Sequence, residues 1–101
     1  MNDYILFMHG DTSHGRSTPG SAAWAAYFAK LEQAGAFQGG SAIGDGVCVS
    51  KSTVPPPDIT RHLSGYIRVQ AESLSQARDL VSGNPIFEAG GTVEIRELPK
   101  S

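Results

Sequence analysis

His9 and Asp11 stand two residues apart where an apolar run gives way to glycine. A histidine close to a carboxylate suits proton transfer at neutral pH. His9 and Asp11 are therefore the candidate catalytic pair. The plainer alternative is a strand-end histidine satisfied by one hydrogen bond, beside an aspartate that starts a turn. Two more histidines are candidate substrate-binding residues. His14 lies with Arg16 in a polar, glycine-rich stretch over 10–20, and His62 follows Arg61 below Pro55-Pro56-Pro57. A metal needs three or four converging ligands. His9, Asp11 and His14 make only a loose cluster with no second one to complete it, so neither a metal nor a cofactor is expected. The single cysteine, Cys48, sits in the alternation Val47-Cys48-Val49 without a neighbouring histidine or helix start to activate it. It reads as a small core residue. Gly39-Gly40 and Gly44-Asp45-Gly46 open no helix, which argues against a phosphate cradle.

The elements that must position these groups follow from periodicity. Tyr4-Ile5-Leu6-Phe7-Met8 is a continuous apolar run of strand length. Over Ser21 to Ala34, Trp24, Tyr27, Phe28 and Leu31 recur at i, i+3, i+4 and i+7, one broad helical stripe. Thr18 and Pro19 suit its start, and Gly35 its stop. Phe37 to Lys51 reads as two strand pieces around a Gly-Asp-Gly hairpin turn. Pro55-Pro56-Pro57 forbids regular pairing from Ser52 to His62. That stretch is either a connector across the sheet edge or the wall of a pocket with Arg61 and His62 at its base. From Leu63 to Ala71 the alternation has a clean period of two. Ser73 with Gln76 makes a capping box for a helix whose stripe is Leu74, Ala77, Leu80 and Val81. Gly83 and Pro85 stop it, and Thr92 to Leu98 closes the chain as a strand.

A chain of 101 residues with 22 Leu, Ile, Val and Phe makes one domain, 1–101, with a small core. Eight basic against ten acidic side chains leave no basic stripe, which excludes nucleic acid as an expected partner. One cysteine permits no internal disulfide. No stretch approaches a membrane span, and the start shows no signal-peptide pattern. A cytoplasmic, bacterial-type protein is expected.

Strand, helix, strand, strand, helix, strand is the order of a ferredoxin-like split βαβ sandwich, class α+β. Right-handed crossovers put both helices on one face. The first strand is apolar on both sides, so its second side needs a cover that one chain does not contain. A second copy packed sheet to sheet supplies it, giving a homodimeric α–β barrel.

Several stretches resemble the YCII-related family. They are Leu63-Ser64-Gly65-Tyr66-Ile67, Ser73 to Ala77, Asn84-Pro85 and Gly91-Thr92-Val93-Glu94-Ile95-Arg96. Tyr4 to Asp11 is similar to the opening strand of that family's Asp-Gly-Pro-Phe branch, and the helix with Trp24 and Tyr27 matches too. The resemblance implies a ferredoxin-like fold and a dimeric barrel. It also implies a His on the first helix and an Asp before the proline that follows the second, acting together as an acid–base pair. Those positions fall on Trp24 and Asn84, neither of which exchanges protons near neutrality. The place of the Asp-Gly-Pro-Phe motif falls within Pro55-Pro56-Pro57-Asp58.

Two functions follow as expectations. One is a homodimer binding a small organic molecule in a cleft, with simple proton transfer or elimination by His9 and Asp11. His14, Trp24, His62 and Asn84 would then contact the ligand, and His9, Trp24 and Asn84 would surround one pocket. The other is a non-catalytic dimerisation or regulatory module that contacts another protein.

Overall fold

The structure, a computed structural model, describes residues 1–11, 21–54 and 56–100. The apolar opening run forms β1, Asn2–His9. Helix α1 spans Ser21–Gln33 and ends at Gly35, whose positive φ of 69° takes the left-handed turn that glycine adopts without strain. Strand β2 is Phe37–Ala42 and β3 is Leu63–Ala71. Two short helices follow, α2 at Leu74–Asp79 and α3 at Pro85–Glu88, before β4 at Val93–Leu98.

The four strands form one sheet in the order β2-β3-β1-β4, with every neighbouring pair antiparallel. This is the ferredoxin-like α+β arrangement. Alternation sets the two faces. Tyr4, Leu6 and Met8 of β1 and Ile67, Val69 and Ala71 of β3 are buried together with Tyr27, Leu31, Ala77, Val81 and Ile86 from the helical side. Ile5, Phe7 and Tyr66, on the opposite side of those strands, are only half-buried. The Tyr27 hydroxyl donates to the Leu80 carbonyl at 2.8 Å and fixes α1 against the end of α2.

The capping box forms: the Gln76 N–H donates to Ser73 Oγ at 3.1 Å. Its reciprocal bond reaches the Glu72 N–H, one residue before the cap. Three readings are corrected. Val47 to Val49 form no strand, and Cys48 is exposed rather than in the core. β2 stands at the end of the strand order and pairs with β3 along its inner edge only; Val47-Cys48-Val49 does not add to its outer edge. Leu74, the first residue of the six-residue α2, is exposed rather than part of a buried stripe. Pro85 ends nothing: it occupies the first turn of α3, where its missing N–H is harmless. The Thr18 and Pro19 start signal lies outside the described residues. No helix among the described residues is long and apolar enough to cross a membrane.

Candidate functional site

On the helical side of the sheet, a groove of about 480 Å³ runs between α1 and the β2–β3 edge. The i, i+4 spacing on α1 stacks the Trp24 and Phe28 rings, centroids 5.7 Å apart and 28° from parallel. Phe28 leans on Phe37 at 5.3 Å, which anchors this wall to β2. Met8, Ile67 and Ile86 supply the apolar base. The floor is cleared by two glycines. A Cβ on Gly40 would lie 2.5 Å from the Tyr66 carbonyl oxygen, and one on Gly65 would lie 3.1 Å from that of Ser41. No lining residue carries a carboxylate or an imidazole.

Asn84 does not face this groove. It is fully buried and caps α3, its Oδ1 accepting from the N–H groups of Ile86 at 2.9 Å and Phe87 at 3.1 Å. Its Nδ2 has no partner at hydrogen-bonding geometry among the described residues. Burial pushes the Tyr27 phenol up, and the side chain of Asn84 partly offsets that rise.

His9 lies on the other, helix-free face. Its Nε2 is 2.8 Å from Glu94 Oε1, and the second oxygen of Glu94 accepts from Arg96 Nε at 2.9 Å. In the β1–β4 ladder Phe7 pairs with Glu94, so His9, two residues along the same face, is a diagonal neighbour. The His9 bond, then the Arg96 bond, holds the Glu94 carboxyl below the usual carboxylate range. An ionised carboxylate only accepts, so Nε2 must carry the hydrogen. In the neutral ring that leaves Nδ1 as the proton acceptor. The His62 ring meets His9 edge-on, centroids 4.6 Å apart. The approach is set by the backbone, because the Gly10 N–H donates to the His62 carbonyl at 2.6 Å. A Cβ on Gly10 would press that carbonyl at 3.0 Å.

Asp11 is engaged elsewhere. Its carboxylate accepts from the Thr92 N–H at 2.8 Å and the Thr92 hydroxyl at 2.6 Å, clamping the end of β1 to the start of β4. Those bonds, the hydroxyl first, lower its pKa, and the charge of His9 adds a smaller lowering. The structure thus brings His9 and His62 together, and Asp11 acts beside them as a clasp. Trp24 and Asn84 lie on the other side of the sheet, the first in a groove and the second in the core. His14 lies outside the described residues. Glu94 and Arg96 were not among the sequence candidates, although the alternation of β4 and the neighbouring positions of β1 and β4 in this fold placed them within reach. Among the described residues, no group of three or more His, Cys, Asp or Glu side chains is placed to hold a metal.

No family model matches this chain, and no curated protein does. Among solved structures, it is similar to 5-chloro-2-hydroxyhydroquinone dehydrochlorinase (TftG) from Burkholderia phenoliruptrix AC1100, solved in complex with 2,5-dihydroxybenzoquinone. The TM-score is 0.58 at 17% identity, over 98% of this chain and 95% of that chain, a likeness of fold spanning the whole domain.

Proposed function

We propose that the protein is a YCII-related homodimer that binds a small, flat organic molecule in the groove beneath α1. The lining of that groove carries the proposal: stacked Trp24 and Phe28 on one wall, a glycine floor, and no carboxylate or imidazole. A planar ring can lie on the floor against the aromatic wall, where stacking contributes about 0.5–1.5 kcal/mol beyond the area it buries. The ring-shaped ligand of the dehydrochlorinase supports this ligand class. Trp24, at the position where the family resemblance implies the histidine of an acid–base pair, supports binding rather than turnover in the groove. The half-buried apolar side chains of the helix-free face, Ile5, Phe7 and Tyr66, support sheet-to-sheet pairing with a second copy.

Trp24 is the one tryptophan of the chain, so its fluorescence reports the groove. Titration with 2,5-dihydroxybenzoquinone should quench it saturably. Phe28→Ala should weaken binding about three- to tenfold, from the stacking term alone. Quenching that rises linearly, as for free tryptophan amide, would contradict the proposal. Sedimentation should give a dimer at micromolar concentration, and a monomer would refute the paired-sheet reading.

The His9–Glu94 contact favours a second reading, a lyase-type proton transfer at the helix-free face. On this reading His9 is the base, Glu94 orients it, and Asp11 holds the neighbouring strand end in place. His9→Ala would then abolish turnover of a hydroxylated chloroarene while leaving the Trp24 titration unchanged. Equal turnover in both chains would sink it.

A further inference from the structure

The connection from β2 to β3 departs from the body of the fold. Among the described residues, positions 44–57 exchange no backbone hydrogen bond with the sheet. Local contacts shape it instead: Ser50 Oγ and Ser52 Oγ each accept from an N–H two residues on, and Cys48 Sγ lies 3.9 Å from the Pro57 carbonyl. This arm holds out large apolar side chains, with Val47 85%, Val49 87%, Val54 71% and Ile59 77% exposed. Isolated exposed apolar residues are ordinary, but four on one excursion mark a contact surface. The radius of gyration, 15.0 Å, exceeds the ~13 Å of a compact chain this long.

The opposite edge of the sheet carries a fitting receptor. A groove of about 730 Å³ lies between α2, α3 and β4, lined by Leu74, Val81, Phe87, Val93 and Ile95. Leu74 and Phe87 are themselves exposed there. The arm leaves from β2 and returns into β3, whereas the groove borders β4, so in one chain the two stand at opposite ends of the strand order. Sheets stacked about a twofold axis parallel to their strands bring the β2 edge of one copy over the β4 edge of the other. Stacked sheets lie only about 10 Å apart.

We infer that the arms are exchanged: each copy's arm reaches round the β4 edge of the other and seats Val47 and Val49 in that copy's groove. The occupant is a second copy because donor and receptor are both present on each chain, both apolar and both uncovered, and one symmetry operation satisfies them twice. The inference rests on the proposed homodimer and adds to it a contact that can fail separately.

The only native thiol, Cys48, sits between the two valines and serves as the probe. The wild-type chain is mixed with a mass-tagged Cys48→Ser, Leu74→Cys chain and oxidised mildly. Both substituted positions are exposed, so the fold tolerates the changes. The expected product is a disulfide joining the two different chains. Dimers in sedimentation with no such link, or with links between Cys48 thiols alone, overturn the exchange and leave the paired sheets standing. Monomers overturn both. As a second reading of the same contact, Val47→Asp with Val49→Asp should raise the dimer Kd at least tenfold, and an unchanged Kd counts against the exchange.

Discussion

Asn84→Ala tests whether the buried asparagine is a structural cap. The substitution strands two N–H donors, the buried one of Ile86 and the part-buried one of Phe87, beside a position where Asn84 is 0% exposed. An N-cap loss costs about 0.5–2 kcal/mol, and an unsatisfied buried donor about 1–3 kcal/mol. Removing the unpartnered Nδ2 returns part of this, so a net loss of about 2–3 kcal/mol is expected. With a urea slope of about 1.5 kcal/mol/M for a chain this size, the midpoint falls by roughly 1.3–2 M. Ser73→Ala is the internal comparison, because it removes a cap that is exposed and accepts one bond, at a cost of about 0.5–1 kcal/mol. Both are read by circular dichroism in urea at one fixed protein concentration, since the apparent stability of the proposed dimer would depend on it. Equal midpoint shifts in the two variants, or a shift below about 0.5 M for Asn84→Ala, would refute this reasoning.

Other predictions follow from the same structure. Leu31→Ala, at a fully buried position beneath the sheet, should cost about 2–5 kcal/mol in the same urea assay. Gly40→Ala should shift the β2–β3 pairing, because its Cβ would lie 2.5 Å from the Tyr66 carbonyl. Amide exchange in β2 should then accelerate, with no change in β4. The Asp11 carboxyl is depressed below 3.8 by Thr92, so its contribution to stability is present above that value and is lost as pH falls through the depressed one. Thr92→Val should move its NMR titration upward towards 3.8, and an unmoved curve would deny the hydroxyl its role. His9→Ala should likewise raise the Glu94 titration towards 4.5, with the Arg96 bond limiting the rise.

The sheet was legible because Leu63 to Ala71 carries a clean alternation and buries the residues its period assigns, and because the continuous apolar run Tyr4 to Met8 has the length of a central strand. The connection over 43–62 was not. Val47-Cys48-Val49 alternates as a strand does, but alternation cannot say whether a segment pairs, and the outer edge of β2 is left unpaired. The candidate site was legible in its residue types and not in its pairings. His9 and Asp11 are neighbours in sequence, yet on β1 and just beyond it each finds its partner across the ladder, at Glu94 and Thr92. Asn84 carried a cap signal, being an asparagine before a proline and a short apolar run. Its burial depends on the packing of α1 against α3, which no local pattern encodes. Trp24 shows the converse, since helical spacing gave the stripe but not which end of it stays open as a groove wall.

The most direct test of a ring-binding groove is an amide and indole NMR map with 2,5-dihydroxybenzoquinone added to the isotope-labelled protein. Shift changes should gather at the Trp24 indole N–H and at the amides of Gly40, Ser41 and Gly65, and those of His9, Glu94 and Arg96 should stay still. Changes confined to the His9 face, or absent at saturating ligand, would contradict the groove as the binding site.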